Sequence, residues 1–276
     1  QLKERLLKEG ESNISMRIEE TEDKSGVEVA GRGILHLSVL METMRREGFE
    51  FQVGTPKVLF KTVDGVKMEP IEDAAVETPS EYAGKVIEVF GFNGGTMVDM
   101  STYGDRTTLR FEIPTRGVMG LRTKVLNVSH GEAIFSHRFS KYGPVAGNVT
   151  GRKNGVMVAM ATDKAVAYAL DTLQQRGTMF VEPGDECYEG MIVGECAKEG
   201  DMDVNVSKTK QLGNQRSSTA DKAILLTPPV VFTLEEALEY IQEDELVEVT
   251  PKSIRLRKRT LDKIGRKKER ARAMGK

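Results

Sequence analysis

Residues 57–139 spell out one order of strands and helices in full, and residues 2–53 spell out most of the same order. A repeat of this kind limits the fold more than any single motif, because each copy must bury its own apolar faces. In the longer copy, residues 57–63 and 66–78 read as strands joined across Asp64-Gly65, a strong two-residue hairpin signal. Thr78-Pro79-Ser80-Glu81 has the capping-box pattern with proline at the first helical position, so a helix is predicted there. Val86, Val89 and Phe90 form its inner face and Asn93-Gly94-Gly95 ends it. Residues 97–101 and 107–113 read as a strand pair around Tyr103-Gly104-Asp105. A second helix is predicted over about 116–126 with Val118, Leu121 and Val125 inward, and a last strand over 133–139. From Val66 onward this is β-α-β-β-α-β, the ferredoxin-like order.

The shorter copy starts with a helix over 2–8. Ile14, Met16 and Ile18 then alternate as a half-buried strand, and the turn Asp23-Lys24-Ser25-Gly26 leads to a partner strand at Val27. After Gly31-Arg32-Gly33 a helix begins near Ile34. Leu37, Leu40, Met41 and Met44 repeat at helical spacing on one face, Arg45 and Arg46 suit the carbonyl end, and Gly48 stops the helix. Residues 49–53 alternate as a strand. The order α-β-β-α-β is the same unit without its first strand, so the chain is expected to begin inside a domain. Read from the residues alone, Gly31-Arg32-Gly33 is also satisfied as a plain strand-to-helix turn.

Beyond Tyr142 the pattern changes to short strands with frequent glycine. Asn154-Gly155 and Pro183-Gly184-Asp185 mark turns, and residues 190–194 read as a buried strand. Thr233-Leu234-Glu235-Glu236 is a second capping box, opening a helix with Leu234, Ala237, Leu238 and Ile241 inward, and residues 246–249 and 254–256 alternate as strands. The expected fold class is therefore α+β: two ferredoxin-like domains, the first truncated at its start, then a mostly β C-terminal domain. The expected boundaries are 1–54, 55–142 and 143–276, with a basic tail from about 258.

No apolar run approaches the roughly 18 residues that a membrane-spanning helix needs. Cys187 and Cys196 are too few for a disulfide framework or zinc cluster and fit a reduced cytoplasm. The net charge of −2 conceals an asymmetry. Residues 252–276 hold twelve basic and two acidic side chains, net +10, whereas the remainder holds 28 basic and 40 acidic, net −12. An acidic body with a basic tail points to a polyanionic partner, and a merely solvated end is the alternative.

No G-x-x-x-x-G-K-[ST] phosphate loop occurs, so no nucleotide site is assigned to this chain. His36, His130 and His137 are scattered, and no nucleophile–base arrangement follows from their spacing. The segment from Ser207 to Thr219 is polar, basic and almost without core-forming residues. Lys208, Lys210 and Arg216 can pair with phosphates, and Gln211, Asn214, Gln215 and Ser217 can bond to base or ribose edges. A plain surface loop is the alternative. In the tail, Arg255, Arg257, Lys258, Arg259 and Arg266 complete the candidate RNA-binding set.

Gly31-Arg32-Gly33-Ile34-Leu35-His36-Leu37, followed by Arg45-Arg46-Glu47-Gly48-Phe49-Glu50, resembles the third domain of translational GTPases related to elongation factor G, and Lys57-Val58-Leu59-Phe60 is similar to the TypA/BipA branch. Ile34 departs from the family pattern, which has glutamate there. The resemblance implies that 1–54 corresponds to the third domain and 55–142 to the fifth domain of the elongation-factor-G layout, and 143–276 to the domain specific to TypA/BipA. It also implies that a GTPase domain holding GTP and magnesium and a β-barrel precede this stretch, and that this stretch alone has no turnover. The implied partners are the ribosome, ribosomal RNA and aminoacyl-site tRNA, reached partly by the 207–219 loop, with neither DNA nor membrane. The implied setting is cytoplasmic translation, ribosome assembly or stress adaptation. Two rival readings stay open. One is a small acylphosphatase-like hydrolase, since such enzymes share the ferredoxin-like fold; the other is a scaffold that binds protein only.

Overall fold

The computed structural model describes residues 1–22, 24–145, 147, 151–209 and 224–273. The α+β chain divides into two units, one of residues 56–151 and the other of residues 1–55 together with 152–276. The second unit is thus assembled from the two ends of the chain.

Its first part runs α1 (Leu2–Ser12), β1 (Arg17–Glu20), β2 (Val27–Ala30), α2 (Ile34–Arg46) and β3 (Phe51–Gly54). β1 and β2 form an antiparallel hairpin, and Leu6, Met16, Leu40 and Met44 make a small core with it. Ile14 is fully exposed, contrary to the alternation expected of it. The strand begins only at Arg17, because Asn13 Oδ1 takes a turn hydrogen bond from the Ser15 N–H at 3.2 Å. β3 does not join this hairpin. It pairs antiparallel with the strand at 245–249, where Val53 lies opposite Val247 and Phe51 opposite Val249. Both of those valines are fully buried, so the apolar face that captures β3 belongs to the far end of the chain.

The 56–151 unit comprises β4 (Lys61–Val63), β5 (Val66–Pro79), α3 (Ala83–Phe92), β6 (Thr96–Tyr103), β7 (Arg106–Pro114), α4 (Thr115–Val118), α5 (Leu121–Val128) and β8 (Ile134–Pro144). Its strands lie in the order β8-β5-β7-β6, all antiparallel, with β4 paired to the start of β5. That is the ferredoxin-like arrangement. Asp64 and Gly65 both take positive φ, 52° and 78°, as the tight hairpin requires. Val86, Phe90, Leu109, Ile113, Leu121 and Val125 form a core without solvent exposure between helices and sheet.

Three details differ from the expectation. Thr78 does not cap a helix: it remains in β5, opposite Thr107, and a short 3-10 turn (Ser80–Tyr82) precedes α3. The ladder to β7 holds its backbone extended. The helix expected over 116–126 breaks at Gly120, whose φ is +69°. Upstream, a Cβ on Gly117 would lie 2.0 Å from the Asn93 carbonyl, so only glycine permits that close approach. β8 continues to Pro144, past the boundary expected at 142.

The rest of the chain forms β9 (Val156–Ala159), β10 (Asp163–Lys164), α6 (Ala167–Gln174), β11 (Gly177–Met179), β12 (Glu186–Cys187), β13 (Met191–Cys196), β14 (Met202–Val204), α7 (Leu234–Tyr240), β15 (Glu245–Val249), β16 (Ile254–Lys258) and α8 (Lys263–Ala273). β10 and β12 make a small two-stranded sheet. The main sheet is ordered β14-β9-β13-β16-β15-β3, with β11 also paired to β13. One face packs Met157, Leu170, Met179 and Val193 into a core. The other packs Val158, Ile192, Leu238, Val247 and Leu256, with Met41 of α2 and Phe51 and Val53 of β3 closing over it. The capping box at Thr233 forms as expected, with Glu236 N–H donating to Thr233 Oγ1 at 3.3 Å and Thr233 N–H to Glu236 Oε2 at 2.8 Å. Among the described residues no helix is long and apolar enough to cross a membrane.

Candidate nucleic-acid interface

Alternation along β16 sorts its cations. Arg255, Arg257 and the following Arg259 point to one side of the sheet, and Leu256 and Lys258 to the other. Arg255 lies 3.9 Å from Glu248 on the neighbouring strand, and Glu248 also accepts from Tyr188 Oη at 2.9 Å. Burial and that hydrogen bond push the Tyr188 hydroxyl well above its ordinary pKa, so it stays a neutral donor. Arg257 is half-buried and donates to the Lys258 carbonyl at 3.2 Å. Arg259 is exposed, with one contact to the Glu243 carbonyl at 3.4 Å.

Lys258 is no surface cation. It is 2 % exposed and its Nζ lies 2.8 Å from Asp201, 2.8 Å from Asp244 and 2.9 Å from Glu245. Glu245 is itself fully buried and takes Arg152 Nη2 at 2.8 Å. Burial opposes ionisation of Glu245, but Arg152 and Lys258 outweigh it and hold its carboxyl below the usual range. Burial likewise works against the Lys258 ammonium, and the surrounding carboxylates outweigh it and raise its pKa. The network joins residue 152 and Asp201, just before β14, to β15 and β16, which is a structural task.

The tail from 263 is a helix docked by its charges. Lys263, Arg266 and Arg270 recur at i, i+3 and i+7, so they share one face. Arg266 is buried and donates to Asp203 at 2.6 Å and to the Leu261 carbonyl. Lys263 approaches Asp203 at 3.3 Å, and Arg270 pairs with Asp201. Burial disfavours ionised Asp201 and Asp203, yet their cation partners dominate and keep both carboxyls below the ordinary aspartate range. Gly190, at φ +87°, lets the chain at Leu261 pass: a Cβ there would sit 2.6 Å from Leu261 Cα. The expectation of available cations is thus corrected for Lys258 and Arg266, whose charges are spent on internal carboxylates.

On the face turned away from these carboxylates α8 exposes Ile264, Lys267, Lys268, Ala271 and Arg272. Among the described residues none of these three cations is paired. In the residues alone they read only as tail charge; the helical spacing 264, 267, 268, 271 and 272 is the signal that separates this face from the docked one. Lys208 is exposed just after β14. Lys210, Gln211, Asn214, Gln215, Arg216 and Ser217 lie outside the described residues. No cluster of metal-ligating side chains occurs among the described residues.

Residues 154–263 match the family described as TypA/BipA C-terminal domain, and residues 66–153 match the family described as Elongation factor G C-terminus. The large ribosomal subunit assembly factor BipA of Bacillus subtilis (strain 168) is 46% identical over 269 residues, 97% of this chain and 44% of that protein. The protein of the same name from Synechocystis is 46% identical over 259 residues, 94% of this chain and 43% of its own length. Its counterpart in Escherichia coli (strain K12) is 44% identical over 270 residues, 97% of this chain and 44% of its own. The chain belongs to the TypA/BipA family. It spans about 44% of the length of the curated relatives it matches. Within this TypA/BipA chain the join between the two family matches, at 153 and 154, falls beside Arg152, where the structural unit of 56–151 gives way to the other.

Proposed function

We propose that this chain is the ribosome-contacting part of a translational GTPase of the TypA/BipA type, acting in the cytoplasm in assembly of the large ribosomal subunit. The observation that carries the proposal is the similarity over 97% of the chain to a protein named as a large ribosomal subunit assembly factor. RNA is the proposed target surface. Lys267, Lys268 and Arg272 on α8, with Arg259 and the half-buried Arg255 and Arg257, supply cations on an otherwise acidic body. The segment from Ser207 to Thr219 adds Lys208, Lys210 and Arg216 together with the amides Gln211, Asn214 and Gln215 and the Ser217 hydroxyl. Cations of this kind position a protein on phosphates, and amides read bases or ribose. Ribosomal RNA and aminoacyl-site tRNA are the proposed RNA partners, with the 56–151 unit as a rigid wedge.

GTP and magnesium belong, in this proposal, to a part of the protein outside these residues. The sequence lacks a phosphate loop, and no step through the nucleotide is assigned to its side chains. Co-sedimentation of the chain with purified large subunits and with their precursors tests the proposal. Binding that weakens with rising salt, and that falls when Lys267, Lys268 and Arg272 are replaced together by alanine, is the expected result. Absence of sedimentation with either particle at low salt overturns it.

A further inference from the structure

Among the described residues α8 is held to the protein by polar contacts: ion pairs to Asp201 and Asp203, the Lys263 N–H on Glu189 at 3.3 Å, and the Thr260 hydroxyl on Glu269 at 2.6 Å. Of its apolar residues described at side-chain level, Ile264 is 67% exposed and Ala271 is exposed, so no hydrophobic burial attaches the helix. The two ends of the helix are attached differently. Arg266 is buried, and Asp203 has only Arg266 and Lys263 as side-chain partners among the described residues. Removing Arg266 would leave this partly buried carboxylate with Lys263, at 3.3 Å, as its one side-chain partner among the described residues. Arg270 is 47% exposed, and its partner Asp201 has other support. Asp201 accepts the Val156 N–H at 3.0 Å and lies 2.8 Å from Lys258. When Arg270 leaves, Asp201 remains satisfied. An ion pair this open shifts an equilibrium by about five-fold at most, and a helical piece of under two turns does not persist alone in water.

Resting on the RNA-contacting role proposed above, we infer that the end of α8 from Lys267 onward is a charge-held arm. Arg270 exchanges the Asp201 carboxylate for a phosphate of the RNA backbone and joins Lys267, Lys268 and Arg272 there, while Arg266 on Asp203 stays as the anchor. Asp201 acts as an internal stand-in for phosphate: it restrains the arm in the free protein and competes with RNA for Arg270. Glu269, held at 2.6 Å by the Thr260 hydroxyl, keeps the one acidic side chain of the helix directed back at the body.

The test uses the whole chain and a short fluorescein-labelled RNA hairpin, titrated at several salt concentrations. Asp201→Asn removes the competitor and is expected to raise affinity about five-fold. Asp244→Asn is the control, since it deletes an equal charge beside Lys258 without touching Arg270. Arg270→Ala lowers affinity, reduces the salt slope by about one, and abolishes the gain from Asp201→Asn. Thermal melts of each variant exclude loss of fold as the cause. Equal gains from Asp201→Asn and Asp244→Asn, or a gain that survives in the Arg270→Ala background, overturn the exchange while leaving RNA binding standing. A chain that does not bind the hairpin at low salt overturns both the exchange and its RNA target, and sedimentation with large subunits then decides separately whether the ribosome-contacting role survives.

Discussion

Glu245 shows how one side chain can be committed by its surroundings. It has no exposure and sits between Arg152 and Lys258. Glu245→Gln is expected to lower stability at pH 7 by about 3 kcal/mol, the low end for breaking a buried pair, because Lys258 keeps Asp201 and Asp244. Urea unfolding measures it. The pH dependence follows from the sign of the shift. The folded-state carboxyl titrates below its ordinary value of 4.5, so its stabilisation is complete above that value and is lost as pH falls through the depressed one. Wild type should therefore lose stability below about pH 4.5 more steeply than Glu245→Gln; parallel curves would show that Glu245 does not titrate as described. In the small N-terminal core, Leu40 is 6% exposed beside Met44. Leu40→Ala is expected to cost about 2–5 kcal/mol, and an unchanged melting temperature would place Leu40 outside the core.

At the scale of elements, α8 and the strand beneath it make the sharpest case. Without an apolar stripe its residues read only as a basic, solvated end and not as a helix. The carboxylates that hold it come from distant residues: Asp203 of β14, Asp201 just before that strand, and Glu189. Arg266→Ala should unseat the whole helix, seen as faster amide hydrogen exchange throughout 263–273, with little change in the 56–151 unit. Exchange confined to the last turn would mean Lys263 is a sufficient anchor. Gly190→Ala tests the same neighbourhood through the backbone. Its positive φ and the 2.6 Å approach to Leu261 leave no room for a methyl group, so a loss of about 1–3 kcal/mol is expected on calorimetry. Gly117 and the uncapped α3 show the same kind of override. Strong local signals yielded where tertiary contacts, the Asn93 carbonyl and the β5–β7 ladder, made other demands.

On the scale of the whole molecule, the unit of 1–55 with 152–276 closes its sheet with a strand from the opposite end of the chain. A fragment of residues 152–276 lacks β3 and α2, so Val247, Val249 and the α7 face lose part of their cover. It is expected to melt at a lower temperature than the same unit in the whole chain, or to remain unfolded, and to regain structure when residues 1–55 are added. Residues 56–151, which hold a complete ferredoxin-like sheet and core, are expected to fold cooperatively alone. Circular dichroism on the two fragments reads both outcomes, and stable folding of 152–276 by itself would show that β3 is dispensable.

Periodicity and turn chemistry, which are local, told most of the elements from the residues alone: the ferredoxin-like order after Val66, the Asp64-Gly65 hairpin, the Thr233 capping box and the inward faces of α2, α3 and α7. The family likeness was carried by short runs of neighbours for the same reason. Partnership between distant segments was not legible. β3 read as a member of the first unit because alternation says which face is apolar and not which sheet will cover it. Lys258 and Arg266 read as surface cations because composition counts charges and cannot see Asp201, Asp203, Asp244 or Glu245 arriving from elsewhere in the chain. Which positive charges remain free for RNA is therefore decided by tertiary structure, since a cation already satisfied by a buried carboxylate has little left to offer a phosphate.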